Sequence, residues 1–241
     1  MAFTGPMQLS TQDVYKVSTT KLMPLGTQGA TRDGRLFRYG LAGAVTLAPG
    51  KINQIAAVVA NHQNIAVQSA AAVGDTVLNV TLGATATTAN QYDDGYVIGY
   101  DASGVGQTLR IAGTPVLALS TSGPFQLGDP VATAMTTSAK VNLEQNMWSN
   151  ALVYATGATT LLCNGVVNVS LPAANYGWFQ TRGTAAVLTN GTIAAGSGVI
   201  PGQTTAGSVD IEAAGTITQR IGFQQQTGTS TKYSTTYLTI D

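Results

Sequence analysis

Between Gly74 and Gly113 apolar and small polar residues alternate, and turns interrupt them at even intervals. Val77, Asn79 and Thr81 fall on one side of an extended chain, and Leu78, Val80 and Leu82 fall on the other. A period of two belongs to a strand with one face buried, and a helix cannot use it. Farther along, Tyr96–Tyr100 and Gly106–Ile111 flank the turn residues Asp101-Ala-Ser-Gly104, the pattern of a β-hairpin with a glycine-containing loop. From residue 74 onward strand-like runs recur about every ten residues: 76–82, 95–100, 106–112, 114–120, 151–156, 164–171, 176–182, 185–189, 208–211, 216–223 and 232–240. Gly and Pro separate them, as at Gly123-Pro124, Gly128-Asp-Pro130 and Pro201-Gly202. Such spacing predicts an all-β chain whose body is a β-sandwich or barrel, built as one unit or as two sub-domains.

The earlier part reads differently. Residues 1–42 hold few periodic apolar positions and several turn signals, which predicts an extended N-terminal arm with one or two short strands, such as Arg35–Tyr39. In 43–72 the spacing of Ile52, Ile55, Val58 and Val59 suits a helix, whereas His62–Val67 runs like a strand. Val141–Ala151 reads as a short helix or as a divide. The division expected is an arm over 1–42, a β-rich unit over 43–145 and a C-terminal β unit over 146–241. No fixed-period repeat is visible.

Only 9% of the 241 residues are charged, eleven basic against eleven acidic, where an ordinary soluble domain has about 25%. Thr, Ser, Asn and Gln carry the polar load. This suits close sheet packing and broad contact with neighbours, since each buried charge would need a partner. The balance is uneven: Lys16, Lys21, Arg32, Arg35 and Arg38 face only Asp13 and Asp33 within residues 1–38, a net of +3. That is too weak for a nucleic-acid patch and predicts an arm that reaches a mildly acidic neighbouring surface. Removing 1–38 should then leave a folded body.

Catalytic patterns are missing. His62 is the single histidine and has no Cys or His at zinc-ligand spacing; a hydrogen-bonding role is expected of it. No Gly-x-Ser-x-Gly, Gly-x-Gly-x-x-Gly or P-loop occurs. Asp93 and Asp94 are adjacent and precede Gly95, which suits a turn better than a carboxylate pair. Glu144 and Glu212 are the only glutamates. Cys163 is alone in an apolar context and reads as a buried structural thiol. The expectation is a chain that is not an enzyme and needs no cofactor or metal. The opening MAFTGPMQLSTQDVYK lacks a basic start followed by an apolar core, and no apolar run approaches membrane-spanning length. Synthesis in a reducing cytoplasm, without membrane association, is expected.

Asn61–Val67 with the Gly74–Gly113 segment, and Tyr176-Gly-Trp-Phe-Gln-Thr-Arg-Gly183 with Ala186–Thr192, Ala195-Gly196 and Gln219–Phe223, resemble structural proteins of tailed bacteriophages, in particular head decoration or cement proteins. The resemblance covers about 60–241. It implies a non-enzymatic role on the outer surface of an icosahedral capsid, with the major capsid protein as partner and self-association as a trimer, or else a dimer. It implies no cofactor and no direct contact with nucleic acid. Rival readings are a tail-tube or minor capsid subunit, and a host-glycan-binding adhesin using Tyr92, Tyr96 and Tyr100. Trp178 and Ile221 are expected in the core of the C-terminal unit. Trp178 and Phe179, as strand neighbours, should divide between core and surface.

Overall fold

In a computed structural model the chain is nearly all β. The residues described are 5–157, 161–213 and 219–241. Two compact units form: Met1–Ala56 together with Met147–Asp241, and Ala57–Asn146. Strands β1 (Met7–Leu9), β2 (Gln28–Thr31), β3 (Leu36–Leu41) and β4 (Ile52–Gln54) open the first unit. Strands β5 (Ile65–Val67), β6 (Val77–Thr81), β7 (Tyr96–Asp101), β8 (Thr108–Gly113), β9 (Ser122–Leu127) and β10 (Lys140–Glu144) make the second. The first unit resumes with β11 (Leu152–Val153), β12 (Cys163–Val167), β13 (Tyr176–Leu188), β14 (Gly198–Pro201), β15 (Val209–Ile211), β16 (Gly222–Gln224) and β17 (Tyr233–Thr239).

The second unit is a closed barrel in the order β10-β5-β6-β9-β8-β7, with every pair antiparallel. Closure removes the unpaired edges that an open sheet must protect. The alternation read from the sequence holds: Leu78, Val80 and Leu82 are buried, with Val97, Leu109, Ile111, Phe125, Val141 and Leu143 packed in the same core. Val77, Asn79 and Thr81 lie on the other face, partly exposed. One expected strand is displaced. Residues 114–120 form a turn segment in which Val116 is 71% exposed, and β9 starts at Ser122. The apolar run Val116–Leu119 mimicked a strand, while Gly123-Pro124, taken for punctuation, lies inside one. Pro124 faces Asn79 of β6 and lies beyond the last β8–β9 pair, Gly113 with Gln126, so no partner on the β8 side calls for its missing N–H.

In the first unit the sheet runs β1-β2-β3-β13-β17-β16-β14-β15, with β12 pairing both β13 and β4, and β4 pairing β11. The thirteen-residue β13 is its spine. Its first half pairs with β3 from Tyr176 to Arg182 and with β12 at Phe179 and Gln180. Its second half pairs with β17 from Arg182 to Leu188. A register shift lies between Gln180 and Arg182, and Gly183 has φ +88°, which only glycine adopts readily. A bulge of this kind bends the strand and lets one strand serve two packing layers.

Two expectations are corrected here. Residues 7–41 are not an extended arm: β2 pairs β3, and β3 pairs β13. Phe37 and Tyr39 are buried with Leu9, Val14, Leu25 and Trp178 in one cluster. The segment escaped notice because its apolar residues come singly, each supplied to a core built by distant strands. Trp178 and Phe179 do not divide between core and surface either. Phe179 points the opposite way from Trp178 and is buried with Leu47, Val167 and Leu171; both faces of β13 are covered from Gly177 to Thr181, while Arg182, Thr184 and Ala186 beyond them are exposed. Ile221 is buried in a third cluster with Ile52, Val187 and Leu238. Helical spacing at Ile52–Val59 gives no α-helix: β4 occupies Ile52–Gln54, and a single 3₁₀ turn spans Ala60–His62.

One local device recurs without a fixed period. Isolated antiparallel bridges join Leu47 to Leu171, Ala71 to Met135 and Ile193 to Gly228. Each of these six residues is followed by a turn closed from residue +4 N–H to residue +1 C=O, at 3.0–3.3 Å, and then by a strand. In five of the six the residue at +3 has positive φ: Gly50, Gly74, Ala174, Gly196 and Thr231. Positive φ at the third position is what a type II turn requires.

Replacing Trp178 by Ala should cost about 3–5 kcal/mol, as for other buried large aromatics, read from the urea midpoint of the full chain. Deleting 1–38 removes β1, β2 and part of β3. The expected result is loss of cooperative unfolding in the first unit, in place of the folded body that an extended arm would leave.

Candidate interaction surface

The residues that could carry chemistry are held inside the scaffold. His62 is fully buried. Its Nε2–H donates to the Thr85 carbonyl at 2.9 Å, so Nδ1 is free to accept from the Tyr92 hydroxyl at 2.5 Å. The expected hydrogen-bonding role of His62 is thus what the structure shows. Burial, with Glu144 nearby, raises the Tyr92 phenol above its ordinary value. Asp93 Oδ1 accepts from both the amide and the hydroxyl of Thr114 at 2.8 Å. Asp94, at φ +59°, lies 3.6 Å from Arg110. Both belong to the turn that leads into β7. Cys163 is buried as expected. Its backbone is clamped by Gln219, which accepts from its N–H at 2.6 Å and donates to its C=O at 3.2 Å. Among the described residues no group of three or more His, Cys, Asp or Glu side chains could hold a metal ion.

The basic residues of 1–38 are placed as follows. Lys16 pairs with Asp13 at 2.7 Å. Arg35 pairs with Asp33 at 2.8 Å and lies over the Phe37 ring. Arg38 grips Asp241 with two hydrogen bonds at 2.6 and 2.9 Å, donates to the Gly26 carbonyl and lies over Trp148. Lys21 and Arg32 are exposed. The structure does not gather these five into one patch; three of them neutralise carboxylates of their own unit. Asp13 and Asp33 are correspondingly held below the usual carboxylate value, chiefly by hydrogen bonds from Lys16 and from Thr31. Arg110–Asp94 and Arg220–Glu212 are further pairs.

The exposed strand faces carry few charges, Arg110 on β8 and Arg182 on β13 among them. On the barrel β8 shows Thr108, Arg110 and Ala112, and β9 shows Ser122, Pro124 and Gln126. On the first unit Phe223, Tyr237 and Thr184 stand side by side across β16, β17 and β13, and Tyr233 lies on the same face of β17 four residues before Tyr237. Of the three tyrosines named for glycan contact, Tyr92 is buried, and Tyr96 and Tyr100 are exposed on β7. The signal for Tyr233 and Tyr237 was present in the alternation of Tyr233–Thr239, but which parity faced outward depended on the packing of Thr236 and Leu238. A separate aromatic pocket of about 480 Å³, lined by Met7, Leu22, Met23, Tyr39, Tyr176 and Trp178, has Lys16 and Asp13 among its walls. Tyr39 stacks on Tyr176 at 5.9 Å and meets Trp178 edge-on at 5.4 Å.

No protein-family model, curated protein or solved structure matches this chain.

Burial pushes the Cys163 thiol up to about 12 and also raises the Tyr39, Tyr92 and Tyr154 phenols. All four hold their protons more tightly folded than unfolded. Their stabilisation is complete below an unfolded thiol value of about 8.5 and is lost as pH rises through the folded values. The urea midpoint should therefore fall with pH above about 9, and Cys163→Ala should flatten that slope. At pH 8 a disulfide reagent should leave the native thiol unmodified and react once urea unfolds the chain.

Proposed function

We propose that the chain is a non-enzymatic structural component of a tailed-phage virion that decorates the outer surface of the capsid and cements neighbouring capsomers. The observation that carries this reading is the neutral, internally paired surface. Ion pairs such as Lys16–Asp13, Arg35–Asp33 and Arg38–Asp241 tie up carboxylates within the units, and the strand faces offer Thr, Ser, Ala, Gln and aromatic side chains. A surface of this composition suits broad and lasting contact, because docking it strands few charges in a dry interface. The resemblance to phage head proteins, carried by Asn61–Val67, Gly74–Gly113, Tyr176–Gly183, Ala186–Thr192, Ala195-Gly196 and Gln219–Phe223, supports the same role. The barrel lacks free edges, so it can sit densely beside copies of itself without strand-to-strand aggregation.

In this role the partners are the major capsid protein and further copies of the chain, as a trimer in preference to a dimer. Packaged DNA pushes outward on a shell. A protein that binds only the intact lattice shifts the equilibrium toward that lattice by mass action. No chemical step is needed. The place of action is the outer face of the virion, after synthesis in the bacterial cytoplasm.

Shells of the encoding phage prepared without this protein should assemble but release DNA at lower temperature and under osmotic shock, and added protein should restore them. Equal heat resistance with and without bound protein would refute the cementing role. Arg38 lies within the scaffold, paired with Asp241, so Arg32→Glu, at an exposed position, is the substitution that tests the basic segment. It should weaken attachment to shells while leaving the melting temperature within about two degrees.

A further inference from the structure

Two neighbouring depressions lie on the exposed face of β13 and β17, within the first unit. One, of about 410 Å³, is lined by Tyr15, Arg35, Asn168, Gln180, Ala186 and Tyr233, among others. The other, of about 510 Å³, is lined by Asp33, Arg35, Gly183, Thr184 and Tyr237. They share Arg35 and Thr184 and form one trough. Tyr233, 54% exposed, and Tyr237, 38% exposed, lie along it about 13 Å apart, four residues along one strand.

The groups of the trough are seated in advance. An added Cβ at Gly50, where φ is +72°, would stand 2.6 Å from the Tyr233 ring; the ring rests where only glycine leaves room. Arg35 lies against Gly183 in the same way, with a Cβ there 2.9 Å from Arg35 Cγ. Arg35 Nε is held by Asp33, and no described residue takes up its remaining guanidinium donors. The Gln180 amide is fully buried, donates to the carbonyls of Arg182 and Thr184, and accepts from Asn168.

We propose that this trough binds a neutral oligosaccharide, several sugar rings long. Aromatic rings with an apolar body and a polar tip match the C–H faces of sugars. The guanidinium, the Asn168 amide and the Thr184 hydroxyl match sugar hydroxyls, which both donate and accept. Among the described residues, the charged ones that line the trough are Arg35 and Asp33, which neutralise each other. A single-stranded nucleic acid would call for a basic groove, and an apolar partner would leave the amides unsatisfied. Rings held in advance lower the ordering cost of binding. The site goes beyond the cementing role and stands whether or not the protein attaches to shells.

The test uses the full chain on a printed array of neutral and anionic oligosaccharides, followed by titration calorimetry with maltohexaose, chitohexaose and cellohexaose. Retention of neutral glycans is expected. Tyr233→Ala and Tyr237→Ala should each weaken binding about tenfold or more, while Tyr100→Ala on the barrel changes nothing and melting stays within about two degrees. If either tyrosine variant loses stability, Ala186→Arg, which fills the trough from an exposed position, should abolish binding in a folded chain. The proposal is overturned if no neutral glycan is retained. It is equally overturned if only anionic glycans bind, or if binding survives Tyr233→Ala, Tyr237→Ala and Ala186→Arg together.

Discussion

Strand β13 holds the first unit together because its side chains reach three separate hydrophobic clusters. Trp178 closes one cluster with Phe37 and Tyr39, Phe179 closes another with Leu47 and Leu171, and Val187 reaches a third with Ile221 and Leu238. A strand can do this only if different partners take its two halves. The register shift at Gln180–Arg182 and the left-handed Gly183 provide the change of partner, from β3 and β12 to β17. The N-terminal strands, the trough and the aromatic pocket all take their positions from that bend.

A chain with so few charges still has to satisfy backbone groups in its loops and at its strand ends, and glutamine side chains bond several of them. Gln107 accepts from the amides of Ala132 and Thr133 and donates to the carbonyls of Gly104 and Thr133. Gln63 donates to Leu143 O, Gln54 accepts from Ala155 N, and Gln219 brackets Cys163. A primary amide offers a donor and an acceptor at the end of a flexible stem, so it can stand in for a missing strand neighbour. It does so without the desolvation cost of burying a charge. The polar composition that read as surface chemistry is thus, in good part, internal bonding. What remains outside is neutral, and it frames the proposals for capsid contact and for sugar binding.

The six bridge-and-turn units show the same economy of means. Each turns the chain into a strand, five of the six through a residue of positive φ, and each is locked to a second copy by reciprocal backbone hydrogen bonds. Their partners lie 124, 64 and 35 residues apart in the chain for Leu47–Leu171, Ala71–Met135 and Ile193–Gly228. The three separations differ, so the device does not show as a fixed-period repeat.

Period-two alternation, turn residues and composition were sufficient to determine an all-β chain, the inward set Leu78, Val80 and Leu82 of the barrel, the buried thiol of Cys163 and the turn at Asp93-Asp94. Each of these depends on neighbours a few residues away, and local physics decides them. Tertiary structure alone decided that residues 7–41 join a sheet, that Trp178 and Phe179 are both buried, that Arg38 is paired with Asp241, and that Tyr233 and Tyr237 face a trough lined by Tyr15, Arg35 and Asn168. In each of those cases the deciding contact comes from a distant segment: β13 for β3, Asp241 for Arg38, Gly50 for Tyr233. Pairing over such separations follows from how strands close on one another, which no local pattern encodes.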